Sequence, residues 1–313
     1  MDEASGEQTV LDGIEMGVGA WSWGDKLMWG YGRGYTDQDV RQAFEASIAA
    51  GICLFDTAEV YGQGRSEQLL GEFIKTTDQK LYIATKFMPF PWRLSRGALL
   101  RALKGSLKRL GLTQVDLYQM HQALPPVNVE TWMGAMTEAV HASLTREVGV
   151  SNYDRAWTQR AYDALAREGI HLASNQMEYS LINRQVERSG LLKQCHDLGV
   201  RLIAYSPLGM GLLTGKYTAE NPPSGMRGTR YNRAYLNRLT PLLTLMKRIG
   251  SDHAGKTPAQ VAINWTICKG TLPIPGAKNI TQAEQNAGAV GWRLTEEEVA
   301  ALDEASDKLS QGR

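Results

Sequence analysis

Ile52-Cys53-Leu54-Phe55-Asp56, then Leu81-Tyr82-Ile83-Ala84-Thr85 with Lys86 behind it, then Val115-Asp116-Leu117-Tyr118-Gln119 with His121 two places on, are the runs that decide the fold. Each is short, apolar and leans towards β-branched or aromatic residues, as a buried strand does. Each also finishes on a residue that can carry charge or move a proton. Working outward, the same kind of run recurs at residues 14–19, 147–150, 172–175, 201–205 and 271–274, which makes eight. Their starts are mostly about 25–38 residues apart, enough for one strand and its crossover helix. The gap between the seventh and the eighth is about twice as long.

The intervening segments read as helices. In residues 95–110, Leu99, Leu100, Leu103, Leu107 and Leu110 form one apolar stripe, with Arg101, Lys104 and Lys108 largely off it. Thr257-Pro258-Ala259-Gln260 combines an N-cap, a proline at the first helical position and a capping box. Thr281-Gln282-Ala283-Glu284 and Thr295-Glu296-Glu297-Glu298 have the same capping-box form. Gly51 and Gly199, each just before a strand, suit helix C-caps. Strands alternating with helices give a parallel sheet covered on both faces. Eight regular units favour closure into a (β/α)₈ barrel, an α/β fold, over an open sheet.

With 313 residues, 43% hydrophobic and 21% charged, the chain suits one barrel domain, expected over residues 14–313 after a disordered or tag-like stretch at 1–13. The net charge of +1 excludes a globally basic nucleic-acid binder. Cys53, Cys195 and Cys268 lie far apart without a CxxC pair, which argues against a disulfide framework or a zinc site and suits a reducing compartment. No apolar run reaches membrane-spanning length, and the acidic, polar start is unlike a secretory signal. The expected location is the cytoplasm, or a plastid if a transit peptide has been removed.

All strands of a parallel barrel open their C-terminal ends onto one face, where active sites form. Asp56, Lys86 and His121 would therefore deliver a carboxylate, an ammonium and an imidazole to one pocket, with the Tyr61 phenol from the loop after Asp56. Carbonyl reduction needs a hydride on carbon and a proton on oxygen. A free tyrosine, with a pKa of about 10, is a sluggish acid near neutrality. Lys86 would lower that value, Asp56 would anchor the lysine, and His121 would orient the carbonyl or relay the proton. Gly17-Val18-Gly19 and Gly62-Gln63-Gly64 begin like GxGxxG, but Ser22 and Glu67 stand at the third-glycine positions, so neither supports a Rossmann site.

The runs Asp56-Thr57-Ala58-Glu59-Val60-Tyr61-Gly62, Ala84-Thr85-Lys86-Phe87 and Asp116-Leu117-Tyr118-Gln119-Met120-His121 closely resemble the aldo-keto reductase superfamily. So do Gly149-Val150-Ser151-Asn152-Tyr153, Asn175-Gln176-Met177-Glu178-Tyr179-Ser180, Ala204-Tyr205-Ser206-Pro207-Leu208 and Ile274-Pro275-Gly276-Ala277-Lys278-Asn279. The likeness covers about residues 14–305 in the family's order and lies nearest to bacterial and plant-plastid reductases related to the potassium-channel β subunits. It implies NADPH-dependent reduction of an aldehyde or ketone, with Tyr61 as general acid and Asp56, Lys86 and His121 completing a tetrad.

The resemblance also implies a cofactor site. Ser151, Asn152 and Gln176 would hold the nicotinamide carboxamide and Tyr205 would stack on its ring. Ser206, Pro207, Leu208, Gly209, Met210 and Gly211 would line the pyrophosphate, with Lys216 touching it and residues 209–233 folding over as a clasp. Lys278, before the Thr281 box, and Arg227 would meet the 2′-phosphate, which favours NADPH over NADH. Gly276, Gln282, Gln285 and Asn286 would surround the adenosine, although a glutamate is common where Gln285 stands. The first turn would approach the cofactor through Ala20 and Trp21. The hairpin that plugs the barrel bottom in many relatives is expected to be reduced.

Aromatic density after the first and third strands points to a pocket for an apolar or aromatic carbonyl, walled by Trp23 or Trp29 with Met88, Trp92 and Gln122. Two rivals stand beside the reductase. A Schiff-base aldolase would use Lys86 as nucleophile, but Asp56 would keep that amine protonated. An NADP(H)-binding regulatory subunit would keep the site and turn over weakly. Metal ligation and membrane insertion are not expected, and the oligomeric state stays open.

Overall fold

The computed structural model describes residues 9–223 and 231–311. The first eight residues of the expected tail, and Arg227, lie outside that range.

Eight parallel strands pair in chain order: β1 (Gly17–Gly19), β2 (Leu54–Asp56), β3 (Tyr82–Phe87), β4 (Val115–Met120), β5 (Thr145–Ser151), β6 (Leu172–Glu178), β7 (Arg201–Tyr205) and β8 (Leu272–Ile274). Gly19 N–H donates to the Pro275 carbonyl at 3.1 Å and Gly19 bridges Gly276, which joins the last strand to the first. The (β/α)₈ barrel read from the sequence is therefore the fold. All eight strand candidates fall on these strands, with boundaries moved by up to three residues.

The main crossovers are α1 (Asp37–Ala49), α2 (Arg65–Ile74), α3 (Arg96–Leu110), α4 (Val129–His141), α5 (Arg155–Ala166), α6 (Gln185–Arg188) and α7 (Leu191–Asp197). In α3 the leucine stripe is inward: Leu99, Leu103, Leu107 and Leu110 are buried, and Gly111 ends the helix in the left-handed conformation. The long interval before β8 holds a short 3₁₀ turn at Gly209–Thr214, then α8 (Arg233–Asp252) and α9 (Pro258–Cys268). Thr257 and Gln260 form the expected capping box on α9. Two helices follow β8, α10 (Ile280–Ala287) and α11 (Glu296–Gln311), and Thr295 and Glu298 exchange the expected bonds before α11.

The Thr281 capping box is not formed. Asn279 caps α10 by accepting from Gln282 N–H, which leaves Thr281 inside the first turn. A short amide side chain at residue 279 meets the N-cap requirement first.

Side chains alternate in direction along a strand. Leu54, Ala84, Leu117, Ile203 and Leu272 fill the barrel interior, whereas Phe55, Ile83, Tyr118, Val148 and Leu202 pack outward against the helices. Leu11, 2% exposed, belongs to the inner cluster, and Val10 N–H donates to Glu147 Oε1 at 2.7 Å. Packing thus begins before residue 14. Among the described residues no strand precedes Gly17, so a turned segment occupies the position where a plugging hairpin was expected to be reduced.

Candidate active site

Moving two residues along from the inner apolar layer, on the same face, leads from Leu54 to Asp56, from Ala84 to Lys86, from Leu117 to Gln119 and from Ile203 to Tyr205. The apolar floor thus gives way to polar groups at the C-terminal mouth. Lys86, 0% exposed, donates to Asp56 Oδ1, to the Thr57 carbonyl at 2.9 Å and to Tyr61 Oη at 3.3 Å. All three ammonium hydrogens have an acceptor. Asp56 is equally enclosed, and its Oδ2 accepts from Gln119 Nε2 at 3.0 Å and Gln176 Nε2 at 2.9 Å.

The loop carrying Tyr61 is held from both sides. Gly62 takes the left-handed conformation, and a Cβ on it would lie 2.6 Å from the Gly24 carbonyl oxygen, so only glycine lets this turn press against the loop after β1. On the other side Glu59 accepts from Met88 N–H at 2.8 Å and pairs with Arg93. The Tyr61 ring meets His121 edge-on at 5.6 Å and lies under Trp21 at 6.0 Å. The His121 backbone N–H donates to the Phe87 carbonyl at 2.9 Å, which ties the main chain that carries the imidazole to the end of β3. The four residues expected to form a tetrad are thus brought together.

Their electrostatics differ from the expectation at one point. Burial raises the Tyr61 pKa; Lys86 lowers it, Asp56 raises it again, and the net result lies above the ordinary phenol value. The expected lowering by Lys86 is therefore outweighed, because the sequence shows the cation but not the desolvation. The phenol therefore stays protonated at neutral pH. Burial also works against the Lys86 ammonium, yet Asp56 and Tyr61 together hold it above its usual value. Burial, with Lys86 adding to it, lowers His121 to about 3, so the imidazole is neutral. Its buried Nδ1 has no hydrogen-bond partner among the described residues, which leaves polar capacity at the mouth.

The expected cofactor residues lie on the other side of that mouth. Ser151 ends β5, and Asn152 just after it is left-handed. Ser151 Oγ donates to the Gln176 carbonyl at 2.9 Å. Asn152 Nδ2 donates to the His121 carbonyl at 3.1 Å, and Tyr205 Oη donates to Asn152 Oδ1 at 3.0 Å. Burial pushes the Tyr205 phenol up to about 12. Beyond β7, Ser206, Gly209, Met210 and Gly211 all have positive φ. Lys216 lies against Gly211, where a Cβ would come within 3.2 Å of its Cε. Left-handed backbone beside a lysine fits a phosphate chain. Pro207 is buried here, with Leu208 partly covered beside it.

In the loop after the neighbouring β8, Lys278 Nζ sits 4.6 Å from the Trp29 ring centre and 4.7 Å from that of Tyr35. Gln282 accepts from Lys278 N–H at 3.0 Å, Asn286 donates to the Gly276 carbonyl at 3.2 Å, and Gln285 is exposed. Lys216 and Lys278 thus supply cations in two loops, after β7 and after β8, with amides beside the second, which fits a dinucleotide with a central pyrophosphate and a further phosphate on its adenosine ribose.

Two placements correct the sequence reading. Trp23 does not wall a pocket: it is fully buried, donates to the Ala277 carbonyl at 2.8 Å and packs on Phe55 and Phe73 behind the strands. Ala20 is likewise withdrawn, its N–H on the Asp56 carbonyl and its own carbonyl accepting from Trp23 and Ser66. Trp21 and Trp29 remain at the mouth, edge to face at 5.4 Å. Met88 and Gln122 are partly buried beside Lys86 and His121 in the chain, and Trp92 is 73% exposed on Phe90. Gln119 was not singled out from the sequence. The signal was its strand parity, two residues beyond Leu117.

Comparison with known proteins agrees with this geometry. The family model described as "Aldo/keto reductase family" matches residues 15–307. The chain is 42% identical over 305 residues to the chloroplastic pyridoxal reductase of Arabidopsis thaliana, covering 93% of this chain and 82% of that protein. It is 30% identical over 293 residues to the NADP(+) aldo-keto reductase yakc of Schizosaccharomyces pombe, covering 88% and 84%. Among solved structures, an aldo-keto reductase from Klebsiella pneumoniae in complex with NADPH superposes with a TM-score of 0.72 at 28% identity, covering 93% of this chain and 90% of that one. The chain belongs to the aldo/keto reductase family.

Proposed function

We propose that this protein reduces an aldehyde or ketone to the alcohol with NADPH, and that Tyr61 gives the proton to the carbonyl oxygen. The observation that carries the reading is the Asp56–Lys86–Tyr61 chain ending beside a neutral His121 at the barrel mouth. NADPH, when bound, supplies the hydride. Ser151, Asn152, Gln176 and Tyr205 would hold its nicotinamide end, and residues 206–211 with Lys216 its pyrophosphate. Lys278, Arg227, Gly276, Gln282, Gln285 and Asn286 would take the adenosine end.

The chain's own residues account for the proton. Tyr61 is protonated at neutral pH and stands against an ammonium, so phenolate forming as the proton leaves is stabilised at once. Lys86 cannot drift, since Asp56 and the Thr57 carbonyl fix its other two hydrogens. The same pairing keeps the amine charged, which disfavours a Schiff-base role. A neutral His121 can donate a hydrogen bond to the carbonyl and hold it over Tyr61.

Trp21 over Tyr61, with Trp29 edge-on to it, suits a flat aromatic carbonyl. Pyridoxal, the substrate named for the Arabidopsis relative, belongs to that class and is the first substrate to try. The test is NADPH consumption with pyridoxal, aromatic and aliphatic aldehydes, and ketones. Multiple turnover with a preference for the aromatic aldehydes is the expected result. Slow turnover on every carbonyl, with the cofactor tightly held, would instead favour an NADP(H)-binding regulatory subunit.

A further inference from the structure

We propose that Gln119 is a positioning residue for the proton donor: it aims the Asp56 carboxylate at Lys86 and, through Lys86, sets Tyr61. This rests on the proposed role of Tyr61. Gln119 is fully buried on β4, and its Nε2 donates to Asp56 Oδ2 at 3.0 Å. The carboxylate only accepts, so the amide must present its NH₂. Its carbonyl oxygen accepts from Gln176 Nε2 at 3.2 Å, which fixes the same orientation from the other side.

The space for this side chain is built into the neighbouring strand. Gly149 pairs with Gln119, and a Cβ there would lie 3.2 Å from Gln119 Cγ and 2.3 Å from Ser174 Oγ. A glycine therefore keeps the crossing path open.

Asp56 Oδ2 has two donors, Gln119 and Gln176. Gln176 is also a candidate ligand of the nicotinamide amide, and both of its Nε2 hydrogens are engaged here, on Asp56 and on Gln119. If Gln176 turns towards cofactor, Gln119 is the donor that stays. A carboxylate left without it could rotate, and the ammonium it anchors would shift from Tyr61.

Two substitutions test this, with Tyr61→Phe run alongside. Gln119→Met keeps the length and removes both the donor to Asp56 and the acceptor of Gln176, the second of which a Gln176 turned towards cofactor would already have given up. The expected result is a fall in kcat of about tenfold or more, the loss of one hydrogen bond to a charged group, with NADPH affinity, read by its fluorescence, unchanged. Gln119→Glu makes the donor titratable. The groups facing position 119 are Asp56 on β2 and Lys86 on β3, with Tyr61 and His121 beyond the lysine. Two adjoining carboxyls share one proton. While protonated, the introduced carboxyl would still donate to Asp56, so kcat should be near native at acidic pH. It should then fall at least tenfold as pH rises, with an inflection that the native protein lacks.

Native kcat in Gln119→Met, or lost NADPH binding in place of lost kcat, would overturn the proposal. If that variant does not fold, a Gln119→Glu profile parallel to the native one would overturn it equally. Failure of the underlying reading looks different: Tyr61→Phe would then keep turnover, whatever position 119 does.

Discussion

The Asp56–Lys86 pair should be the most strongly coupled contact in the molecule, and a double-mutant cycle measures it. Both side chains are essentially sealed, at 3% and 0% exposure. Lys86→Met leaves a buried carboxylate whose remaining donors are two neutral amides. Asp56→Asn leaves an ammonium whose remaining partners include the Thr57 carbonyl and Tyr61. Breaking a buried pair from one side costs about 3–5 kcal/mol, because the surviving charge stays out of water without its counterion. Removing both charges restores neutrality, so Asp56→Asn/Lys86→Met should cost less than either single change. Urea unfolding of the four proteins at neutral pH gives the coupling energy directly. The Lys86 pKa is raised on folding, so the lysine's share of stability is complete below the ordinary lysine value of about 10.4 and is lost as pH climbs through the folded value. Additive single-mutant costs would mean that the two charges do not meet, and the proposed support for Tyr61 would go with them.

Further outcomes follow from the placements. Trp23→Ala should destabilise the barrel by about 3–5 kcal/mol, as a large buried aromatic does when truncated; substrate preference of the folded protein should not change, checked by unfolding curves and a carbonyl panel. At the barrel bottom, Glu147 is raised to about 7 by burial, against the bond from Val10 and with Asp12 and Asp116 adding to the rise. Its folded form holds the proton longer than the unfolded chain does, so stability is lost as pH rises from about 4.3 through about 7. Glu147→Gln removes this loss and should raise the melting temperature more at pH ~8 than at pH ~5. An equal change at both would contradict the burial argument.

The sequence disclosed the barrel because each strand carries its own signal in a few residues, and pairing in chain order needs nothing more. It disclosed that Asp56, Lys86 and His121 would meet because they stand at strand ends, which a parallel barrel gathers on one face. Where the reading failed, the answer lay in three dimensions. A tryptophan four residues past a strand can point into the mouth or behind it, and Trp23 goes behind, with its indole N–H on the Ala277 carbonyl. Asn279 and Thr281 were both able to cap α10, and packing of α10 on α1 through Ala43, Ala277 and Ala283 accompanies the first. The Tyr61 pKa moved opposite to expectation because desolvation is invisible in a string of letters. Gln119 was legible in principle, since parity alone puts it on the inner face that carries Asp56 and Lys86, yet a glutamine in a strand raises no alarm by its chemistry.

The proposed chemistry turns on one hydroxyl. Tyr61→Phe should bind NADPH as the native protein does, seen by its fluorescence, while turnover of a reactive aldehyde falls by a factor on the order of 10² or more, the scale of general acid catalysis. Turnover near the native rate in the presence of normal NADPH binding would contradict it.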